Sequence, residues 1–284
     1  MVFVVLGVMG SSPSAHAEWS TAYFESKSGQ CFPYHRVVDG QAYGGHRCLF
    51  PRGFIDRYPF PIAVYIPDYY VPTSDLQLVL YLHGLSDHTR PYRHDFIDSI
   101  YKDDMGISLS MSAENVILVV PSGTGGNVGF NTYMTSKASR FDSFMEQMGR
   151  HLQRAGLSQR TDMSRLVVAG HSGAHRPISQ ILTADCGTGL CYKEKIREIY
   201  LLDATYSHPG SPTSAVFAAF ANEPGRRFHT VFRGSTVVAR SSMHIYNRLH
   251  QTDLRDDEAF CEEHLTDLTT TIPCDFACVT NSEL

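Results

Sequence analysis

The chain contains no long run of Lys or Arg, no Cys-x-x-Cys pair, a single tryptophan, and no apolar stretch of the roughly 18 residues that a bilayer-spanning helix needs. Each absence removes a class of function. With a net charge of −5 and no linear cluster of cations, nucleic acid is not the expected partner, because phosphate neutralisation requires grouped Lys and Arg. Without Cys-x-x-Cys there is no metal signature. His171 and His175 are four apart only because they flank a tight Gly-His-Ser-Gly turn, so no zinc site is expected. The glycine-rich stretch Pro121-Ser122-Gly123-Thr124-Gly125-Gly126 is not followed by the Lys-Ser/Thr that a phosphate-binding P-loop needs. No stable membrane span is expected either.

What is present is a chain of 284 residues with 43% hydrophobic content, enough to bury a large core in one α/β domain or two small ones. Val2 to Met9 is apolar and is followed by Gly10-Ser11-Ser12-Pro13-Ser14 and then Ala15-His16-Ala17, a small-x-small pattern. Residues 1–17 therefore read as an export signal, with secretion or periplasmic delivery as the expected fate. The basic segment that normally opens such a signal is missing, which leaves open an earlier start.

All seven cysteines follow position 17, where an oxidising compartment favours pairing. Cys31–Cys48 and Cys186–Cys191 are the short-loop pairs expected. Cys274 and Cys278 lie four apart in a strand-like segment, a separation of about 13 Å at about 3.3 Å per residue. Bridged Cα atoms sit within about 7 Å, so Cys261–Cys274 is the expected third pair, with one cysteine left over.

Residues 18–60 are rich in Gly, Tyr, Arg and Cys and lack clear periodicity, which reads as an irregular, disulfide-tethered lead-in containing about two strands. Beyond it, strands and helices alternate. Strands are expected at 62–66, 76–82, 116–120, 166–169, 198–202, 229–232 and 275–280. Helices are expected at 139–155, after Ser172, at 213–221 and at 244–251. In the first of these helices Phe141, Phe144, Met145, Met148 and Leu152 recur on one face, and Gly156 is placed to cap it. Alternation of this kind implies right-handed crossovers and a mainly parallel sheet covered on both faces, with its site at the carboxyl ends of the strands.

Chemistry concentrates at three such ends. The β-branched run Leu166–Ala169 leads directly into Gly170-His171-Ser172-Gly173-Ala174, the form of a nucleophile elbow. There a serine is held between strand and helix on a turn so tight that its neighbours must be small. The second is Tyr81-Leu82-His83-Gly84-Leu85 after an apolar strand, and the third is Asp203 closing Ile199-Tyr200-Leu201-Leu202. With its His-Gly after the strand and its serine turn, the chain resembles the α/β-hydrolase superfamily over roughly residues 60–284. The usual Gly-x-Ser-x-Gly ends here in Ala174, a mild departure.

The resemblance implies an α/β-hydrolase-like domain over 61–284, with Ser172 as nucleophile. It implies the N–H groups of Leu85 and Gly173 as oxyanion donors and Asp203 as the acid that orients a histidine. His83 itself reads as a structural histidine bonding nearby loop carbonyls. No metal or organic cofactor is implied. The substrate class is a carboxylic ester or amide, small or polymeric, and the absence of a long hydrophobic lid argues against a lipase.

The histidine is the gap. The resemblance places it after the last strand, yet only Asn281-Ser282-Glu283-Leu284 follow position 280. Three readings stand: a chain cut short before its histidine, His244 from the loop after the 229–232 strand, or another residue such as His264. His208 follows Asp203 too closely. A scaffold without its base would be a non-catalytic binding protein, and that is the alternative function.

Overall fold

In the computed structural model, residues 19–83, 105–123, 130–186, 190–202, 204, 212–233 and 276–280 are described. The export-signal segment, the expected helix over 244–251 and Cys261–Cys274 lie outside them. Nine strands form one sheet: β1 Gln30–Val38, β2 Gln41–Phe50, β3 Ile62–Pro67, β4 Leu76–Leu82, β5 Ile117–Pro121, β6 Met163–His171, β7 Ile196–Leu202, β8 Arg227–Arg233 and β9 Phe276–Thr280. Their order across the sheet is β1-β2-β3-β5-β4-β6-β7-β8-β9. The central block β5-β4-β6-β7-β8 is parallel throughout, and the flanking pairs are antiparallel.

The parallel strands are built from apolar, β-branched runs because both of their faces are covered. β3 and β5 are buried at every position, and β4 at all but Gln77 and Val79. On one face pack α3 (Ala138–Arg154), α4 (His175–Thr183) and α5 (Pro212–Ala221), after the short α1 (Ala22–Ser26) and α2 (Met105–Met111) in chain order. The opposite face carries Tyr65, Tyr81, Leu118 and Val120, and there α2 adds Leu109. The apolar stripe on α3 is buried as its spacing predicts, and Gly156 ends the helix at φ +82° with Leu157 N–H bonded to the Leu152 carbonyl.

One feature departs from the sequence reading. Residues 30–50 are not an irregular preface. They form a full hairpin, β1–β2, turned through Asp39-Gly40 with both residues at positive φ, the two-residue geometry that matches strand twist. β2 pairs with β3, so this segment is the edge of the main sheet, not a lead-in to it. Cys31 and Cys48 face each other across the hairpin and are bonded, as are Cys186 and Cys191. β9, the last strand expected, is present over Phe276–Thr280 and runs antiparallel to β8.

Among the described residues, no helix is long and apolar enough to cross a membrane.

Candidate active site

β6 ends at His171 and the chain turns into a single 3-10 turn, Ser172–Ala174, before α4 begins at His175. Ser172 sits at φ +54°, in the left-handed region that a residue with a Cβ enters at a cost of about 1–3 kcal/mol. The strain has a visible cause. The two arms of the turn come so close that a Cβ on Gly170 would lie 2.8 Å from the Ala174 Cβ and 2.6 Å from Ile178 Cδ1. Residue 170 must therefore be glycine, and with that space left empty the methyl of Ala174 is accommodated, fully buried. The substitution of alanine for the usual last glycine is thus tolerated locally. Ser172 itself is partly exposed and Gly173 is buried.

The strand ends converge. Leu82 pairs with Gly170, His171 with Leu202, and Leu202 with Val231. The carboxyl ends of β4, β6, β7 and β8 thus finish at one level, with neighbours about 4.8 Å apart. Here the strand order, the crossovers and the strained serine between strand and helix occur together. The fold is α/β-hydrolase-like.

Within this scaffold Ser172 and Gly173 are described, while Leu85, Asp203 and His244 lie outside the described residues, as do Gly84, His208 and His264. The flanking residues are informative. Leu202, immediately before Asp203, is paired with His171, immediately before Ser172. His83, two residues before Leu85, follows directly on the Leu82–Gly170 pair.

His83 is 3% exposed, and its Nε2 accepts the Gly123 N–H at 2.8 Å. The bond is a structural one to the loop after β5, and an imidazole nitrogen that accepts an N–H is the unprotonated one of a neutral ring. The ring also packs on Phe130, with centroids 4.9 Å apart. His83 thus ties the end of β4 to the end of β5.

His175, at the start of α4, is 5% exposed, with Nδ1 3.4 Å from the Ser172 carbonyl. Burial pushes its pKa down, partly opposed by backbone bonds to Ser172 and Ala204. The ring links the serine turn to the residue after Asp203. His171, by contrast, is exposed, so the two imidazoles do not share one surface. Among the described residues the one group of metal-type ligands is Cys186, Cys191 and Glu194, and its two cysteines are bonded to each other.

β9 runs back along β8. Phe276 opposes Arg233 and Thr280 opposes His229. β9 therefore ends beside the amino end of β8. The positions after the last strand, where the resemblance expects a histidine, lie outside the described residues. β8 ends at Arg233 and β9 begins opposite it at Phe276, and the sequence between them, outside the described residues, carries His244, His250 and His264.

A feature not read from the sequence is the π-turn Asn131–Thr135, a rare conformation that recurs at functional sites. Thr135 Oγ1 donates to Gln180 Oε1 on α4 at 2.7 Å, fixing this turn against the helix that follows Ser172.

No protein-family model and no curated protein matches the chain. Solved structures similar to this α/β-hydrolase-like chain include a thermostable esterase from Pseudomonas putida, at 14% identity, covering 70% of this chain and 52% of that one with a TM-score of 0.33. A mutant of the rice cell wall degrading esterase LipA from Xanthomonas oryzae aligns at 13% identity over 68% of this chain and 51% of that one, with a TM-score of 0.41. An S-formylglutathione hydrolase from Agrobacterium tumefaciens aligns at 16% identity over 64% and 65%, with a TM-score of 0.36. The matched part of the chain spans about half the length of the esterases it aligns with.

Proposed function

We propose that this protein is a secreted or periplasmic serine hydrolase that cleaves a carboxylic ester or amide through an acyl-enzyme on Ser172. The observation that carries this reading is Ser172 at φ +54° on the turn between parallel strand β6 and helix α4, at the carboxyl end of the sheet. Two disulfides support the oxidising destination.

In this reading a histidine of the 234–275 connection, His244 foremost, takes the proton of Ser172 Oγ as that oxygen bonds to the substrate carbonyl carbon. The carbonyl oxygen gains the negative charge and is met by the N–H groups of Gly173 and Leu85, each worth about 3 kcal/mol of barrier. As the tetrahedral species collapses, the carbon–oxygen or carbon–nitrogen bond to the leaving group breaks. The imidazolium returns its proton to the departing alcohol or amine. Water then attacks the acyl carbon by the same route and frees Ser172. Asp203 would orient the imidazole and stabilise its charged form.

Turnover of a soluble chromogenic ester, lost in Ser172→Ala with the fold intact, tests the assignment. A folded wild-type chain that turns over neither esters nor amides leaves the non-catalytic binding protein.

A further inference from the structure

A groove runs along the exposed side of α3, between that helix and residues 51–59. It consists of two adjoining hollows of about 760 and 710 Å³ that share Gly53, Asp56 and Ser143. The hollow at the start of α3 is walled by Ile55, Tyr58, Pro59, Tyr133 and Phe144, and carries Arg57, Lys137 and Arg140. The hollow farther along carries Lys27, Arg52, Arg150 and Arg154. All of these cations are exposed.

Two carboxylates stand against them, Asp56 and Glu146, and Glu146 is already engaged by Arg150. His151 adds no charge at neutral pH, since burial pushes its pKa down, and its ring bonds Tyr23 Oη and the Phe54 carbonyl. A chain with a net charge of −5 thus concentrates positive charge in one channel.

The arrangement follows from helix geometry. Lys137, Arg140, Ser143, Gln147, Arg150 and Arg154 recur every three or four residues, so they form one stripe, with Phe144 bordering the groove and Phe141, Met145, Met148 and Leu152 buried on the other side of the helix. α3 is about 25 Å long at 1.5 Å per residue, so the stripe far exceeds a small ligand. A linear polyanion can meet the cations in series, and individually weak exposed ion pairs then add up with release of counterions.

The groove begins at the end of the sheet where Ser172 lies. Its first hollow is bordered by Tyr133, on the π-turn that Thr135 binds to α4 through Gln180. That turn is also joined to residue 60 by the edge-on contact of Phe60 and Tyr133. From the end of β5 to the end of β6 is two strand spacings, about 10 Å.

The composition of the walls selects among polyanions. Among the described residues, Tyr133 (39% exposed) is the one well-exposed large apolar side chain in the groove. Single-stranded nucleic acid relies on successive aromatic platforms, and an anionic bilayer on a set of apolar anchors, and a lone tyrosine supplies neither. One aromatic face beside a row of guanidinium and ammonium groups suits a sugar chain bearing carboxylates. We infer that this groove holds an acidic polysaccharide and leads an ester on it to Ser172. The delivery of an ester rests on the hydrolase reading, whereas the binding does not.

The test uses the full chain carrying Ser172→Ala, so that nothing is consumed, with polygalacturonate as the probe. Binding is expected to weaken steadily with added salt, and a neutral glucan is expected not to bind. Neutralising five cations together (Arg57→Gln, Lys137→Gln, Arg140→Gln, Arg150→Gln, Arg154→Gln) should lower affinity about ten-fold or more. Replacing the four arginines by lysine should retain most of it, which separates charge loss from misfolding. Equal binding by the neutralised variant overturns the inference, as does tighter binding of single-stranded DNA or of phosphatidylglycerol vesicles than of polygalacturonate at the same salt. Failure of the wild type to hydrolyse both short soluble esters and amides would remove the hydrolase reading alone and leave this binding result standing.

Discussion

His171 and Leu202 oppose each other across β6 and β7, so the positions that follow them, 172 and 203, continue from adjacent strand ends. Neighbouring strands lie about 4.8 Å apart, and in the proposed mechanism a single imidazole bridges Ser172 and Asp203. Asp203→Asn should therefore reduce kcat by about 10³–10⁴ while KM for a short ester changes little. Steady-state kinetics on a chromogenic ester measure both. A kcat within a few-fold of wild type would remove Asp203 from the mechanism.

The base should belong to the β8–β9 connection. Single replacement of His244, His250 and His264 by alanine should leave two variants close to wild type and one with kcat reduced about 10³–10⁴. His244 is the residue expected to be essential. Since a neutral imidazole must accept the proton from Ser172, turnover by the wild type should rise with pH through the titration of that histidine.

The strained turn makes a prediction about stability that is independent of activity. At φ +54° any Cβ is unfavourable, so Ser172→Gly should be more stable than Ser172→Ala by about 1 kcal/mol, although both are inactive. Conversely, Gly170→Val must displace Ala174 and Ile178, and should cost about 1–3 kcal/mol or more along with activity. Denaturant unfolding of the variants measures both effects.

Acid should destabilise the fold before the carboxylates titrate. Burial lowers the pKa of His151, His175 and His229. Each unfolded imidazole takes up its proton near the ordinary value of about 6.5, and each folded one only at lower pH. The unfolded state thus binds more protons below that value. The stability these rings confer is complete above about pH 6.5 and is lost as pH falls through their folded values. His175→Gln should flatten this acid limb, as read by the pH dependence of the unfolding midpoint.

The edge hairpin should depend on its disulfide. Cys31 and Cys48 close a loop of 17 residues, a constraint on the unfolded chain worth about 3 kcal/mol. Replacing both by serine should lower the melting temperature without abolishing ester turnover, because the hairpin lies at the sheet edge, four strands from β6.

The parallel core and the serine turn were legible in the sequence because burial on both faces and a two-arm collision leave little choice of residue. Leu76–Leu82 and the stripe Phe141–Leu152 carry their period openly, and Gly170 and Ala174 mark the turn. The β1–β2 hairpin was harder to read. β1 lies at the exposed edge of the sheet, with only Cys31, Tyr34 and Val38 partly buried, so it lacks strict alternation. Asp39-Gly40 was nevertheless a usable turn signal. The direction of β9 was not legible at all, since strand polarity is set by its partner β8 and by the path of the connection, not by the residues Phe276–Thr280. The cationic stripe on α3 was visible at the same spacing as the apolar one. Its meaning depended on the opposite wall, residues 51–59, which only the tertiary structure supplies.

The central claim is that Ser172 is an activated nucleophile. Treatment of the folded chain with a fluorophosphonate, followed by peptide mapping, tests it most directly. The account predicts a single phosphonylated residue, Ser172, with labelling abolished in Ser172→Ala and strongly slowed in Asp203→Asn. Modification at another serine, or no modification of a folded chain, would contradict it.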